Sequence, residues 1–323
     1  MTKTNRLAEP LSLAHGPAWK NRFMLAPLTN LQSHEDGRLS DDEFRWLTMR
    51  AEGGFGLTMT CAAHVQAGGQ GFPGQLGIWD DRHLEGLTRL AAAIKTRGSV
   101  SSVQLHHAGI RSPKELVGEV VGASDDADTG ARAMTTAEVE AARDAFIAAA
   151  KRAEKAGFDG VEVHGAHGYL LAQFLSAETN RRSDAYGGSL ENRARLTFEI
   201  VDGIRAACGP DFQLGIRLSP ERFGLKLAEV IDVASELLGK AKIDFLDMSL
   251  WDVNKEPAEE EFQGKSLMEY FTSLPRGQVR LGAAGKIMSG ADAAAVIDAG
   301  CDFAVIGRAA ILRHDFPNRV LAD

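Results

Sequence analysis

The sequence predicts a single-domain α/β fold, a (β/α)8 barrel, on three observations. Eight short apolar runs recur along the 323 residues, at Arg22–Ala26, Gly56–Cys61, Ser101–His106, Gly160–His164, Gln213–Leu218, Phe245–Ser249, Val279–Gly282 and Phe303–Ile306. Helical segments separate them, the βαβα rhythm of a parallel sheet whose crossovers are helices. No shift of composition marks a linker, so 1–323 reads as one domain, with its core from about Leu11 to Pro317. Length alone also allows two domains of about 150 residues, but one barrel typically needs about 250.

The helices are expected at Asp41–Ala51, Asp81–Thr96, Thr136–Ala156, Leu190–Ala207, Leu227–Gly239, a short one from Ser266, and Gly290–Ala299. Ser40 and Ser189 stand where an N-cap oxygen accepts from the first turn. Lys155-Ala156-Gly157 and Asp298-Ala299-Gly300 are helix stops, each running straight into a strand. The longest irregular stretch, Ala108 to Ala133, is polar and follows the third strand, on the side where a barrel carries its substrate loops. Gly69-Gln70-Gly71-Phe72-Pro73-Gly74 matches a dinucleotide fingerprint in letters only. Pro73 and the residues after it open no helix, so a mobile loop is expected there.

Composition narrows the function classes. The chain is 44% hydrophobic and 25% charged with net charge -8, and no Lys/Arg stripe argues for nucleic acid as a partner. No apolar run approaches the roughly 18 residues of a membrane span, and Met1 to Pro10 lacks the apolar centre of a signal peptide. Cys61, Cys208 and Cys301 are widely spaced with no CxxC pair, which predicts reduced thiols and a cytoplasmic location.

Two groups of residues carry chemistry. Gly282-Ala283-Ala284-Gly285-Lys286 after the seventh strand and Gly307-Arg308 after the eighth occupy the loops with which barrels often hold a phosphate. Gly285 and Gly307 let backbone N–H groups approach an anion, and Arg308 adds a bidentate contact. Plain turns with a surface arginine are the alternative. Gln104 ends an apolar strand, Arg217 lies inside the apolar run Leu214–Leu218, and a buried cation requires a partner. Glu162 is one candidate partner; an electron-rich flavin ring is the other. Gln104 suits the pyrimidine edge of such a ring, since an amide donates and accepts. After the first strand, Thr29 follows Ala26-Pro27-Leu28 and reads as a turn or as a donor to a ring carbonyl.

The second group is Val163-His164-Gly165-Ala166-His167-Gly168-Tyr169, where a strand runs out into a loop. Two imidazoles three residues apart can grip one substrate oxygen, and a phenol two residues on can deliver a proton. His164 and His167 can also be metal ligands, but no third ligand stands at the spacing of a zinc signature.

These segments, with Lys20-Asn21-Arg22, Val103-Gln104-Leu105-His106-His107-Ala108-Gly109 and the run Asn180 to Arg193 containing Tyr186-Gly187-Gly188-Ser189-Leu190-Glu191-Asn192-Arg193, resemble the Old Yellow Enzyme family of NAD(P)H:flavin oxidoreductases. The resemblance implies FMN at the C-terminal ends of the strands. Ala26, Pro27, Leu28, Thr29 and Ala62 would line the flavin, and Gln104 and Arg217 would contact its ring. Gly285, Gly307 and Arg308 would hold its phosphate. It further implies an ene-reductase taking hydride from NADPH or NADH, with His164 and His167 binding the carbonyl of an enone and Tyr169 donating the proton. A homo-oligomer is compatible with it. From the residues alone, a metal-dependent barrel hydrolase using His164 and His167, or a non-catalytic flavin-binding protein, stays open.

Overall fold

The computed structural model describes residues 3–322; Met1, Thr2 and Asp323, which the expected domain bounds include, lie outside the described residues. Ten strands are present among them: β1 (Phe23–Leu25), β2 (Leu57–His64), β3 (Val100–His106), β4 (Val121–Gly122), β5 (Arg132–Ala133), β6 (Gly160–Gly165), β7 (Gln213–Leu218), β8 (Phe245–Ser249), β9 (Arg280–Ala284) and β10 (Phe303–Ile306). Eight close into a parallel barrel in the order β1-β10-β9-β8-β7-β6-β3-β2. The short β4 and β5 pair with each other outside it.

The barrel strands are those the apolar runs predict, with shifted ends. β1 is shorter than expected, β2 continues to His64, and β9 starts at Arg280 and reaches Ala284. The expected helix from Asp81 begins as a 3-10 turn, Asp81–His83, before the helix Leu84–Lys95. Ser40 and Ser189 cap as predicted, accepting from the backbone N–H of Glu43 and Asn192. Gly157 and Gly300 end their helices in the left-handed region, φ 88° and 107°, where a side chain would be strained.

One expectation is corrected. Residues 108–133 are not wholly irregular: they hold a 3-10 turn, the helix Lys114–Val117 and the pair β4–β5. Elements this short carry no readable period. The Gly69–Gly74 segment opens no helix, in keeping with the dismissal of the dinucleotide fingerprint, and is a hydrogen-bonded loop. Gln75 Oε1 accepts from Gly71 N–H at 2.6 Å, and Gly74 O accepts from Ser33 N–H at 3.0 Å.

Alternation along the strands divides the core in two. One face packs against the helices, with Val103, Leu105, Val161, Val163, Leu214 and Ile216 among its members. The other fills the barrel, where Trp19, Met24, Leu57, Met59, Phe245 and Phe303 form an apolar floor. Gly215 and Gly282 make room for it. A Cβ on Gly215 would lie 2.1 Å from the Phe245 ring, and one on Gly282 2.0 Å from Phe303. Trp19 closes the N-terminal end, its indole N–H donating to Gln213 Oε1 at 3.1 Å.

Candidate active site

Above the apolar floor the interior turns polar. Strand register pairs Gln104 with Glu162, His164 with Arg217, and Arg217 with Asp247. Gln104 Nε2 donates to Glu162 Oε1 at 2.7 Å, which leaves the amide oxygen free for another donor. Arg217 is almost wholly buried and forms its ion pair with Asp247, Nε to Oδ2 at 3.0 Å, without hydrogen-bond alignment. The Glu162 pairing suggested by the sequence is thereby corrected: its direct partner is Gln104. Burial, and then the charge of Asp247, push the Glu162 carboxyl above the usual carboxylate range; burial raises Asp247 as well, against the pull of Arg217.

At the end of β6 the structure brings His164, His167 and Tyr169 together. The ring centroids of His164 lie 5.0 Å from His167 and 5.1 Å from Tyr169. His164 Nδ1 accepts from Ala166 N–H at 3.2 Å, so its proton is on Nε2. That Nε2–H then donates to His167 Nδ1 at 3.2 Å, and His167 Nε2–H donates to Ser249 Oγ at 2.7 Å. The network fixes both tautomers. Burial keeps both rings neutral, lowering His167 to about 3 and His164 well below the ordinary imidazole value. Nitrogens bonded to each other across one proton do not both offer lone pairs to a metal. Among the described residues, no group of three or more His, Cys, Asp or Glu is arranged to hold one.

His167 and Gly168 adopt φ 61° and 69°, and this left-handed pair turns the chain so that Tyr169 faces back toward His164. Tyr169 is half-buried, edge-on to His106 at 4.4 Å and beneath the Arg111 guanidinium at 4.7 Å. Arg111 also donates to the His167 carbonyl, bracing the same turn.

A cleft opens over this layer, lined by Ala26, Pro27, Leu28, His167, Arg217, Ser249, Gly285, Lys286, Gly307 and Arg308 among others. Its residues fit a flavin mononucleotide. Buried Arg217 and exposed Arg308, with Gly285 and Gly307, all line the cleft. Gly285 is required by the protein itself, since a Cβ would meet the Asp252 backbone at 2.7 Å. Gly307 is not: a Cβ there finds only Leu28 and Ala26, at 3.7 and 3.9 Å, and would fill the cleft. The helix Arg308–Leu312 is too short to supply a macrodipole, so the donors this part of the cleft can offer an anion are backbone N–H groups and exposed Arg308. Ala62 lies on β2 opposite Gln104. Thr29 is exposed, one residue beyond the cleft-lining Ala26-Pro27-Leu28.

Sequence reasoning missed Asp247, Ser249, His106 and Arg111. Asp247 carried the signal used for Arg217, a charge inside an apolar run, and Ser249 lies two residues on, on the same face. His106 shares a strand face with Gln104. Nothing local marked Arg111, whose role depends on a loop closing over β6.

The family model for NADH:flavin oxidoreductases and NADH oxidases matches residues 6–323. The chain is 40% identical over 318 residues to the probable NADH-dependent flavin oxidoreductase YqiG of Bacillus subtilis, covering 95% of this chain and 85% of that one. It is 36% identical to an NADPH dehydrogenase of Bacillus licheniformis, covering 91% of this chain and 87% of that one. Among solved structures it superposes on the old yellow enzyme homologue of Zymomonas mobilis with TM-score 0.86 and 28% identity, over 98% of this chain and 92% of that one. Morphinone reductase in complex with tetrahydroNAD gives TM-score 0.83 at 29% identity, over 97% and 90%. The barrel, the buried Arg217 in the cleft lining and the His164–His167–Tyr169 cluster are compatible with these likenesses, and the chain belongs to the NADH:flavin oxidoreductase / NADH oxidase family, the FMN-dependent Old Yellow Enzyme group whose electron donor is NAD(P)H.

Proposed function

We propose that this oxidoreductase reduces the C=C bond of α,β-unsaturated carbonyl compounds, with NADPH or NADH as co-substrate, in the cytoplasm. The observation that carries the reading is the convergence of two neutral imidazoles and a phenol at the end of β6, beside a cleft that fits FMN. FMN, when bound, would supply the hydride-transfer chemistry between nicotinamide and substrate.

The chain's own residues bind and polarise. His164 and His167 donate to the substrate carbonyl oxygen, exchanging their mutual hydrogen bond and the one to Ser249 for bonds to the ligand. Those donors favour the enolate-like charge that develops on that oxygen. Tyr169 delivers a proton to the α-carbon. Arg217 opposes the negative charge of the reduced ring, while Gln104 pairs with its pyrimidine edge. Gly285, Gly307 and Arg308 hold the phosphate, and Ala26, Pro27, Leu28, Thr29 and Ala62 form the walls.

The test separates half-reactions. Tyr169→Phe is expected to leave flavin reduction by NAD(P)H nearly unchanged and to slow enone reduction by on the order of 10²–10⁴-fold. Stopped-flow measurement of both decides it: equal slowing of the two, or slowing of reduction alone, contradicts the proton-donor role.

A further inference from the structure

We infer that Glu162 and Asp247, the two carboxyls beside Arg217 below the ring site, form a proton-holding pair that takes one proton from solvent when the bound FMN is reduced. This rests on the ring-facing assignment of Arg217.

The geometry is two acids to one base inside a closed barrel. Both carboxyls are 0% exposed, and Arg217 is the one cation facing them among the described residues. Asp247 has the guanidinium at 3.0 Å, and Glu162 has only the Gln104 amide at 2.7 Å. Glu162 Oε2 and both Asp247 oxygens accept no hydrogen bond. The other interior groups bring no charge: β3 adds His106, β6 adds His164 and β8 adds Ser249, with His167 beyond them, and burial keeps all three imidazoles neutral. β1, β2, β9 and β10 contribute Met24, Met59, Ala284 and Phe303. Cys301, near Asp247, is a thiol that burial pushes up to about 12. Two full negative charges against one positive charge leave an uncompensated buried anion, which costs several kcal/mol unless a proton neutralises it. The raised proton affinities of both carboxyls express the same imbalance.

That balance depends on what else Arg217 faces. Opposite a neutral oxidised ring, its charge serves the carboxyls alone. Opposite a reduced ring it is shared with a second anion, so the pair binds a proton more tightly. The step balances. Hydride brings two electrons and one proton to the ring, and a carboxylate oxygen lone pair forms one O–H bond with a proton from solvent. Two electrons and two protons enter together, no bond in the chain breaks, and the carboxyl proton returns to solvent when hydride leaves. The net charge of the buried site therefore stays constant through turnover.

The test is a spectroelectrochemical titration of the FMN-loaded protein at pH values from about 6 to about 9, the range in which raised carboxyls titrate. The midpoint potential is expected to follow two protons per two electrons over part of that range. Glu162→Gln, which keeps the side-chain volume, and Asp247→Asn are each expected to return it to one. Redox-difference infrared spectra should show a carboxylic C=O band that grows on reduction and is lost in either variant. Protonation of the ring itself would give a two-proton slope that both variants retain, with no such band, and overturns the inference. A flavoprotein following one proton throughout overturns it too and leaves the ring assignment standing. A protein that takes up no flavin overturns both.

Discussion

His167 Nε2 lies 2.7 Å from Ser249 Oγ, and Arg217 Nη2 donates to the same oxygen at 3.3 Å. One hydroxyl thus joins the imidazole that meets the substrate to the guanidinium that meets the cofactor. Removing it leaves two poorly exposed donors without an acceptor, a loss of roughly 1–3 kcal/mol for each group left unpaired. Ser249→Ala should lower the urea midpoint of the ligand-free protein. A phenolic ligand, which brings an oxyanion to the same donors, should restore part of that loss. Equal destabilisation with and without the phenol would show that the hydroxyl does not serve these donors.

His164→Ala and His167→Ala should each weaken binding of a phenolic ligand roughly 10- to 100-fold, the scale of one charge-assisted hydrogen bond. The charge-transfer absorbance of the flavin complex gives the readout. Because burial keeps both rings neutral, lowering His167 to about 3 and His164 well below the ordinary imidazole value, protein titration should give no step in this affinity near pH 6.5. A step in affinity near the ordinary imidazole value, after correction for the ligand's own ionisation, would contradict the neutral assignment.

Arg308→Ala should release FMN. It removes a charge-assisted contact worth roughly 1.5–3 kcal/mol, which is about 10- to 150-fold in Kd. Flavin fluorescence quenching during reconstitution of the apoprotein measures it. An unchanged Kd would leave the anion to Gly285 and Gly307 alone.

Acid should unfold this protein early. Burial lowers His64, His83 and His107 to about 4 and His167 to about 3, and holds His106 and His164 well below the ordinary imidazole value. Unfolded, each takes a proton near pH 6.5. Stability is therefore fully present above about pH 6.5 and is lost as pH falls toward 4, because the unfolded state binds the extra protons. Glu43, Glu162 and Asp247 act in the opposite sense, gaining stability as pH falls toward their unfolded values, but three carboxyls oppose six imidazoles. Urea midpoints should fall steeply between pH 6.5 and 4.5; a flat profile would mean that the rings are already protonated in the fold.

The barrel was legible because its strands are buried on both faces and stand out as apolar runs between strong caps, of which Ser40 and Ser189 are examples. The cluster at His164, His167 and Tyr169 was legible because all three leave one strand end within six residues. The acid partner of Arg217 was not. Glu162, in the same sequence neighbourhood as the histidines, was the one acid candidate, yet register across β7 and β8 sets Asp247 opposite Arg217. Only the shear of a closed barrel decides which strand faces which. Arg111 and Ser249 were hidden for a related reason: each completes a contact made across tens of residues, where no local period exists to be read.

The paired glycines of the barrel floor bear on how such a molecule can diverge. Phe245 occupies the space that Gly215 vacates, and Phe303 that of Gly282, so the phenyl rings and the bare backbones are a single steric unit. A methyl added at Gly282 alone would lie 2.0 Å from the Phe303 ring, so the ring or the backbone must shift to admit it. Viable change at this depth must come in pairs, a larger residue at 215 or 282 with a smaller one at 245 or 303. Libraries varying one position at a time will find the floor immutable, whereas libraries that couple each glycine to its ring open a route to altering how deeply the flavin sits.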